Sequence, residues 1–151
     1  MTRIFADLPA RLSGSRGVLV DSNILLDVIT ADPVWAGWSA GALGEVAEFA
    51  PLVINPIIYA EVSIGFSKIE ALDAALPTHL YQREPLPWEA GFLAGKSFLH
   101  YRRRGGTRQA PLPDFYIGAH AAIRHLVILS RDAARYRTYF PTVELLTKRP
   151  S

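Results

Sequence analysis

The sequence contains no cysteine and no apolar run that approaches the length of a membrane-spanning helix. Without cysteine, disulfides, thiol nucleophiles and cysteine-based zinc or iron–sulfur sites are excluded. A membrane span needs about 18 or more consecutive apolar residues. The N-terminal stretch also lacks a long apolar segment followed by a cleavage site, so we expect a cytoplasmic protein with no membrane partner.

Lysine is scarce, with 3 residues against 13 arginines, and the formal net charge is only +2. The arginine excess suits phosphate and carboxylate partners, or it reflects only a genome rich in G and C. The 151 residues are 50% hydrophobic and 20% charged, a composition that excludes a disordered chain. The length predicts one domain with a single core.

Short apolar runs alternate with helical segments along the chain. Strands are predicted at 18–20, 52–54, 126–129 and 143–146, because short apolar runs are typical of buried strands. Helices are predicted at 23–30, 34–49, 56–66, 68–75, 88–104, 114–125 and 133–140. This alternation predicts an α/β fold with a central, mostly parallel β-sheet flanked by helices.

The domain is expected to span residues 18–146. Residues 1–17 are interpreted as an N-terminal extension, and 147–151 as a C-terminal tail. Within the extension a short helix is indicated by the spacing of four apolar residues, Ile4, Phe5, Leu8 and Leu12. In parallel α/β sheets, ligands bind outside the carboxyl ends of the strands, so we expect the site at that edge.

Three aspartates stand where predicted helices begin. Asp21 follows the first strand, Asp132 follows the third, and Asp114 follows a proline. Each has a simple structural interpretation, because aspartate is a favoured N-cap residue. A parallel sheet nevertheless brings Asp21 and Asp132 to the same edge, and we expect the helix of Asp114 to begin near it.

Glu61 lies inside a helix that has no clearly polar face. Such a helix is normally buried, and a buried carboxylate without a partner is costly. No lysine or arginine lies within four residues to form a local ion pair. Either Glu61 points to solvent or meets a distant arginine, or it joins the three aspartates. Four carboxylates so close would repel one another, and Mg²⁺ or Mn²⁺ is the natural compensation.

Such a site can activate water and neutralise the developing charge of a phosphodiester. Three other functions stay open at this point. The chain is alternatively a phosphohydrolase with Asp21 as nucleophile, although that chemistry pairs it with an aspartate where Asn23 stands. It is alternatively a non-catalytic metal- or RNA-binding α/β module, or a DNA nuclease of similar architecture.

Four segments resemble the PIN-domain family, and within it the VapC-type toxins of bacterial toxin–antitoxin pairs: VDSNILLDV (20–28), INPIIYAEV (54–62), PDFYIGAHA (113–121) and LSRDAARYRTYFP (129–141). They occur in the family's order, and the resemblance covers about 18–146. It implies a PIN-like fold and a Mg²⁺- or Mn²⁺-dependent endoribonuclease that hydrolyses RNA with metal-activated water. It also implies a homodimer and an inhibitory antitoxin encoded beside the toxin.

The resemblance also implies site residues. The positions that match the family's metal-binding and catalytic carboxylates are Asp21, Glu61, Asp114 and Asp132. Asn23 and Ser130 match polar positions that support this cluster. The chain departs from the family pattern in the roughly 17 residues that precede its first motif.

Two further features have both a functional and a structural interpretation. A basic cluster at the end of the long predicted helix is a candidate to hold the RNA backbone, and it consists of Arg102, Arg103, Arg104 and Arg108. Otherwise it is a solvated helix end favoured by the helix dipole. His120 follows Asp114 by six residues, and we interpret it as a core or surface histidine.

Overall fold

Very short apolar strands form the centre of the fold. The computed structural model describes residues 2–148, so 149–151 of the predicted tail lie outside the described residues. The strands are β1 (Val18–Val20), β2 (Leu52–Ile54), β3 (Tyr81–Arg83), β4 (Val127–Leu129) and β5 (Leu145–Leu146). They form one sheet in the order β3-β2-β1-β4-β5, and every pairing is parallel. The predicted α/β fold is confirmed, with a sheet that is parallel throughout.

Helices alternate with these strands. In the described chain they are α1 (Leu8–Leu12), α2 (Ser22–Ile29), α3 (Ala36–Ala47), α4 (Pro56–Ser63), α5 (Ile69–Ala75), α6 (Trp88–Arg103), α7 (Pro113–Arg124) and α8 (Ala134–Tyr139). Helix α6 packs along α7, and α2 packs against α3 and α4. None of the helices in residues 2–148 is long and apolar enough to cross a bilayer.

Strand β3 is the element that the sequence pattern did not indicate. It lies at the edge of the sheet, and its residues are partly or fully exposed. An edge strand pairs on one side only, so pairing with β2 is what makes the sequence Tyr-Gln-Arg a strand. The last strand is shorter than the predicted 143–146, because only Leu145 and Leu146 pair with β4.

The parallel register brings the ends of β1 and β4 together. Val20 pairs with Leu129, and the backbone N–H of Asp21 donates to the carbonyl of Leu129 at 2.9 Å. Asp21 and Ser130 therefore leave the sheet side by side, at the carboxyl edge where ligand sites form. Helix α4 starts from the end of β2, where the side-chain oxygen of Asn55 caps the helix by accepting the backbone N–H of Ile58 at 2.9 Å.

The segment before β1 packs on the domain. Phe5, Leu8 and Leu12 are buried in the core. The carboxylate of Glu45 on α3 accepts the backbone N–H groups of Ile4 and Phe5, at 2.6 and 3.1 Å. This segment is therefore held by backbone hydrogen bonds as well as by apolar contact.

Gly118 on α7 has no room for a side chain. A Cβ atom built there falls 2.3 Å from Cδ2 of Phe140, a buried ring. We expect Gly118→Ala to lower the free energy of unfolding by about 1–3 kcal/mol, the usual cost of overpacking a core. Urea unfolding followed by circular dichroism measures this change.

Gly95→Ala on α6, the helix packed against α7, is the matched control. A Cβ atom at Gly95 meets nothing within 4 Å. Alanine has the higher helix propensity, so this substitution should raise the free energy of unfolding by up to about 1 kcal/mol. Equal effects at the two glycines would contradict the packing described for α7.

Candidate functional site

The buried side chain of Asp21 is the centre of a group of carboxylates at the edge of the sheet. We call this group the acidic site; its members are Asp21, Glu61, Asp114 and Asp132. Asp21 is 4% exposed. Its Oδ2 accepts the hydroxyls of Tyr136 and Ser130 at 2.8 and 2.9 Å, and its Oδ1 accepts the backbone N–H of Ser22 at 2.8 Å. Burial is the main cause that raises the pKa of Asp21; the hydrogen bond from Tyr136 opposes this shift, and the charge of Asp114 adds to it.

Glu61 is joined to Asp21 through Ser22. Its Oε1 accepts the Ser22 hydroxyl at 3.0 Å, while the Ser22 backbone N–H binds Asp21. Burial raises the pKa of Glu61 first of all, and the charges of Asp21 and Asp114 raise it further, against the hydrogen bond from Ser22. Glu61 is half-buried, so it is neither a free surface carboxylate nor one paired to an arginine within residues 2–148.

Asp114 lies in the first turn of α7 and is tied to helix α8. Its Oδ2 is 3.1 Å from Nη1 of Arg135. Burial raises the pKa of Asp114 most strongly; Arg135 lowers it, and the charge of Asp132 raises it. Asp132 itself is exposed on the turn before α8.

Charge coupling therefore links all four members of the acidic site. The donor set consists of carboxylate oxygens alone, which is the chemistry that Mg²⁺ and Mn²⁺ prefer. Among residues 2–148, however, no three or more His, Asp or Glu side chains are arranged so that they could hold a metal ion. The carboxylates of Asp21 and Asp114 instead bind hydroxyl, amide and guanidinium donors of the chain itself. The donor chemistry fits a hard divalent cation, while the arrangement is not that of a closed metal site.

The two residues predicted to support the site contact each other. The Ser130 hydroxyl donates to Asp21 and accepts from Asn23 Nδ2 and from the Asp132 backbone N–H, each at 3.1 Å. The Asn23 Oδ1 accepts the backbone N–H of Arg131 at 3.3 Å. Asn23 and Ser130 thus connect α2 with the turn that carries Asp132.

Sequence reasoning missed Tyr136 and Arg135, which reach the acidic site from α8. Tyr136 is fully buried and donates to Asp21, and burial raises its pKa well above the ordinary value of 10.0. Both residues follow Asp132 closely in sequence, but Asp132 lies before the start of α8. Helical spacing therefore gave no signal for either residue.

A partly buried ion pair, which the sequence reasoning also missed, holds the turn before α8. Asp27 is 3% exposed on α2, and its two oxygens accept Nε and Nη2 of Arg131 at 2.8 and 3.0 Å. The Ser39 hydroxyl donates to the same carboxylate at 2.7 Å, and the Arg131 guanidinium lies 5.1 Å from the ring centre of Trp35. The signal was the one noticed at Glu61, a carboxylate inside an apolar helix.

The predicted basic cluster lies at the end of α6 and leads towards the acidic site. The Arg104 guanidinium lies 5.8 Å from the ring centre of Tyr139, which is 6.2 Å from that of Tyr101. Arg135, the partner of Asp114, lies 6.0 Å from the Tyr101 ring. Two arginines with two tyrosine rings between them therefore connect the end of α6 with Asp114.

The other arginines of this cluster are exposed. Arg102 and Arg103 form the last turn of α6, and the Arg102 side chain donates to the backbone carbonyl of Arg108.

His120 is separate from the acidic site. It is fully buried, with Nδ1 2.9 Å from Asn55 Nδ2, and burial lowers its pKa. The structure thus has it as a core histidine.

A family model described as PIN domain matches residues 18–141 of the chain. The match begins at β1 and ends just after α8, so it includes every member of the acidic site. A search of curated proteins finds no match.

Solved toxin–antitoxin structures have a similar fold. VapBC2 from Rickettsia felis, bound to a DNA fragment from its promoter, is 17% identical, with a TM-score of 0.67 over 86% of this chain and 97% of that chain. VapBC-1 from nontypeable Haemophilus influenzae is 18% identical, with a TM-score of 0.65 over 86% and 96%. FitAcB from Neisseria gonorrhoeae is 16% identical, with a TM-score of 0.62 over 87% and 97%. At these identities the likeness is one of fold.

The raised pKa of Glu61 predicts a pH-dependent effect of Glu61→Gln on stability. Because the folded state disfavours the ionised form, the contribution of Glu61 to stability is most favourable below the ordinary pKa of 4.5. That contribution is lost as pH rises through the raised folded pKa. Glutamine does not titrate. In EDTA at pH 7 we therefore expect the variant to have the higher melting temperature, with the difference disappearing near pH 4.

Glu70→Gln provides the control for this measurement. Glu70 is exposed on α5, so its substitution should change the melting temperature little at either pH. A Glu61→Gln variant that is less stable than the wild type at pH 7, or equally stabilised at both pH values, would argue against charge repulsion within the acidic site.

Proposed function

Because the chain belongs to the PIN domain family, a family of nucleases, we propose that it is a metal-dependent endoribonuclease and the toxin of a toxin–antitoxin pair. The observation that carries this proposal is the meeting of four carboxylates at the carboxyl edge of the sheet. They come from the ends of β1 and β4 and from helices α4 and α7. For Asp21, Glu61 and Asp114, the charges of other members of the acidic site add to the rise in pKa that burial causes.

The proposed cofactor is Mg²⁺ or Mn²⁺, held by Asp21, Asp114 and Asp132, with Glu61 as a further ligand or a hydrogen-bond partner. When bound, such an ion lowers the pKa of water and neutralises charge on the phosphodiester. Attack of water on phosphorus, with the P–O3′ bond broken and the 3′-oxygen leaving, would give a 5′-phosphate and a 3′-hydroxyl. The 2′-hydroxyl is not needed for this chemistry, so preference for RNA comes from binding.

The chain's own residues orient the carboxylates. Tyr136 and Ser130 fix Oδ2 of Asp21, and Ser22 fixes its Oδ1 together with one oxygen of Glu61. Such preorganisation lowers the reorganisation needed during the reaction. Glu61 is half-buried, with a single oxygen engaged by a described donor, so we assign it the proton of the attacking water.

The path of arginines and aromatic rings supports RNA as the substrate. The path runs from one side chain to the next and ends at Asp114; its members are Arg104, Tyr139, Tyr101 and Arg135. Guanidinium groups bind phosphates, and partly exposed rings stack on unpaired bases. We therefore propose that an RNA strand approaches the acidic site along the basic cluster, Arg102, Arg103, Arg104 and Arg108.

We further propose a cognate antitoxin and a homodimer as protein partners. The fold-level likeness to VapBC and FitAcB complexes supports an antitoxin. For the dimer, helix α6 presents Trp88, Phe92 and Leu99 on one exposed face, with Trp88 93% exposed. An antiparallel copy of α6 would cover this face and bring Glu89 near Arg103 of the second copy.

The alternative of an aspartate nucleophile is disfavoured by the surroundings of Asp21. Both of its carboxylate oxygens already accept hydrogen bonds, and the side chain is 4% exposed. A nucleophilic oxygen needs open access to phosphorus. Asn23, which stands where a second aspartate would be required, is bonded to Ser130.

Asp21→Asn tests the proposed function directly. The amide matches the carboxylate in size but lacks the charge that holds a divalent cation, so we expect RNA cleavage to fall by roughly a thousandfold, as when one charge-stabilising group is removed from an active site. Cleavage of a fluorescent single-stranded RNA, with and without EDTA, measures the loss. A DNA strand of the same sequence, assayed in parallel, separates ribonuclease from deoxyribonuclease activity.

Asp7→Asn is the control, since Asp7 is exposed before α1 and asparagine also tolerates its left-handed backbone. It should cleave RNA like the wild type. Circular dichroism shows whether each variant is folded. Full activity of Asp21→Asn, or of the wild type in excess EDTA, would reject the metal-dependent mechanism.

Arg104→Gln tests the RNA path. If Arg104 contacts a phosphate, the substitution removes one counterion-releasing contact and should reduce the slope of log K against log salt by about 1. RNA binding is measured by fluorescence anisotropy at several salt concentrations with Asp21→Asn as the inactive background. Arg137→Gln removes an exposed charge on α8 that lies beside the N-terminal segment, and an identical slope change there would dismiss a specific role for Arg104.

A further inference from the structure

Arg135 is the only lysine or arginine within residues 2–148 that forms an ion pair with the acidic site. Its Nη1 lies 3.1 Å from Oδ2 of Asp114, and both side chains are about one-third exposed, at 36% and 32%. The pair is therefore open to solvent and can exchange partners. A fully buried pair would hold its geometry much more firmly.

Two aromatic rings keep the Arg135 guanidinium at the mouth of the acidic site. Its central carbon lies 5.8 Å from the ring centre of Phe115 and 6.0 Å from that of Tyr101. Contacts of this kind contribute independently of the ion pair. If the ion pair opens, these ring contacts would therefore keep the positive charge near Asp114.

A divalent cation held by Asp114 would compete with Arg135 for the same carboxylate. Asp114 is one of the proposed ligands, and its Oδ2 is the atom that the guanidinium occupies. Two positive charges on one carboxylate also repel each other. Since such coupling is reciprocal, an ion that binds Asp114 weakens the hold of Asp114 on Arg135.

We propose that Arg135 alternates between two anionic partners: Asp114 before the ion and the RNA bind, and the phosphate to be cleaved during the reaction. This inference rests on the proposed function. The guanidinium fork matches phosphate oxygens and stabilises the charge that develops on them. Arg135 is thus a counter-ion of the resting site and a substrate-binding residue of the working one.

The two roles predict opposite effects of Arg135→Gln in two measurements on the full chain. Without its competitor, Mn²⁺ should bind more tightly, by a factor of about 5 to 100 in isothermal titration without RNA, which is the usual range for coupled ligands. The rate constant for RNA cleavage at saturating Mn²⁺ should fall by about 100-fold, as for the loss of one charge-stabilising donor.

Stability gives a third readout that does not depend on cleavage. In EDTA the variant should melt at a lower temperature than the wild type, because Asp114 has lost its counter-ion. Addition of Mn²⁺ should then raise its melting temperature by more than it raises that of the wild type. A purely structural Arg135 would instead lower both melting temperatures equally.

Two further variants sharpen the test. Arg137→Gln removes the same charge from the same helix, at an exposed position beside the N-terminal segment, and should match the wild type in all three measurements. Arg135→Lys keeps the charge but loses the planar fork. It should bind Mn²⁺ with nearly wild-type affinity yet cleave RNA more slowly. If Arg135→Gln does not fold, Arg135→Lys still tests the phosphate role.

The outcomes separate this inference from the proposed function. A wild-type chain that neither binds Mn²⁺ nor cleaves RNA overturns the proposed function, and this inference with it. A wild-type chain that does both, with Mn²⁺ affinity unchanged or weakened in Arg135→Gln, overturns the inference alone. Tighter Mn²⁺ binding with undiminished cleavage also overturns it, because the phosphate role would be absent.

Discussion

The buried carboxylate of Asp21 is the interaction on which the rest of the acidic site depends. It is the first residue after β1, and its three donors come from α2, from the end of β4 and from α8. A buried carboxylate is costly unless hydrogen bonds satisfy it. These elements therefore hold their positions together, and the loss of Ser130 or Tyr136 would leave the charge of Asp21 poorly compensated.

A second buried carboxylate, that of Asp27 on α2, helps to hold the turn that carries Asp132. Asp27 follows Asn23 by one helical turn, so both side chains face the turn that carries Asp132. Asn23 binds the backbone of Arg131, and Asp27 binds its guanidinium. Asp132 is itself exposed, so the position of its carboxylate derives from these contacts of its neighbours.

The elements that the sequence predicted well are those with a strong apolar pattern. Strands β1 and β2 have the predicted bounds, since three apolar residues in a row are buried on both faces. Strand β3 was missed because its pairing partner, and not its own composition, makes it a strand. The four acidic residues were predicted from their positions, at strand ends and within apolar helices, and from the resemblance to the PIN-domain family. Tyr136 and Arg135 were missed, since a tyrosine and an arginine on a short helix carry no sign of the carboxylates they will meet.

The order of the strands has a consequence for the chain during its synthesis. The central strand β1 is made early, but β4, one of its two neighbours in the sheet, is made more than one hundred residues later. Asp21 and Tyr136, which form a hydrogen bond, are likewise 115 residues apart. Contacts between residues so distant in sequence form slowly and only once both ends are available. A nascent chain still missing α8 cannot assemble the site around Asp21. The hydrogen bonds that hold the buried carboxylate are therefore complete only after α8 has been made.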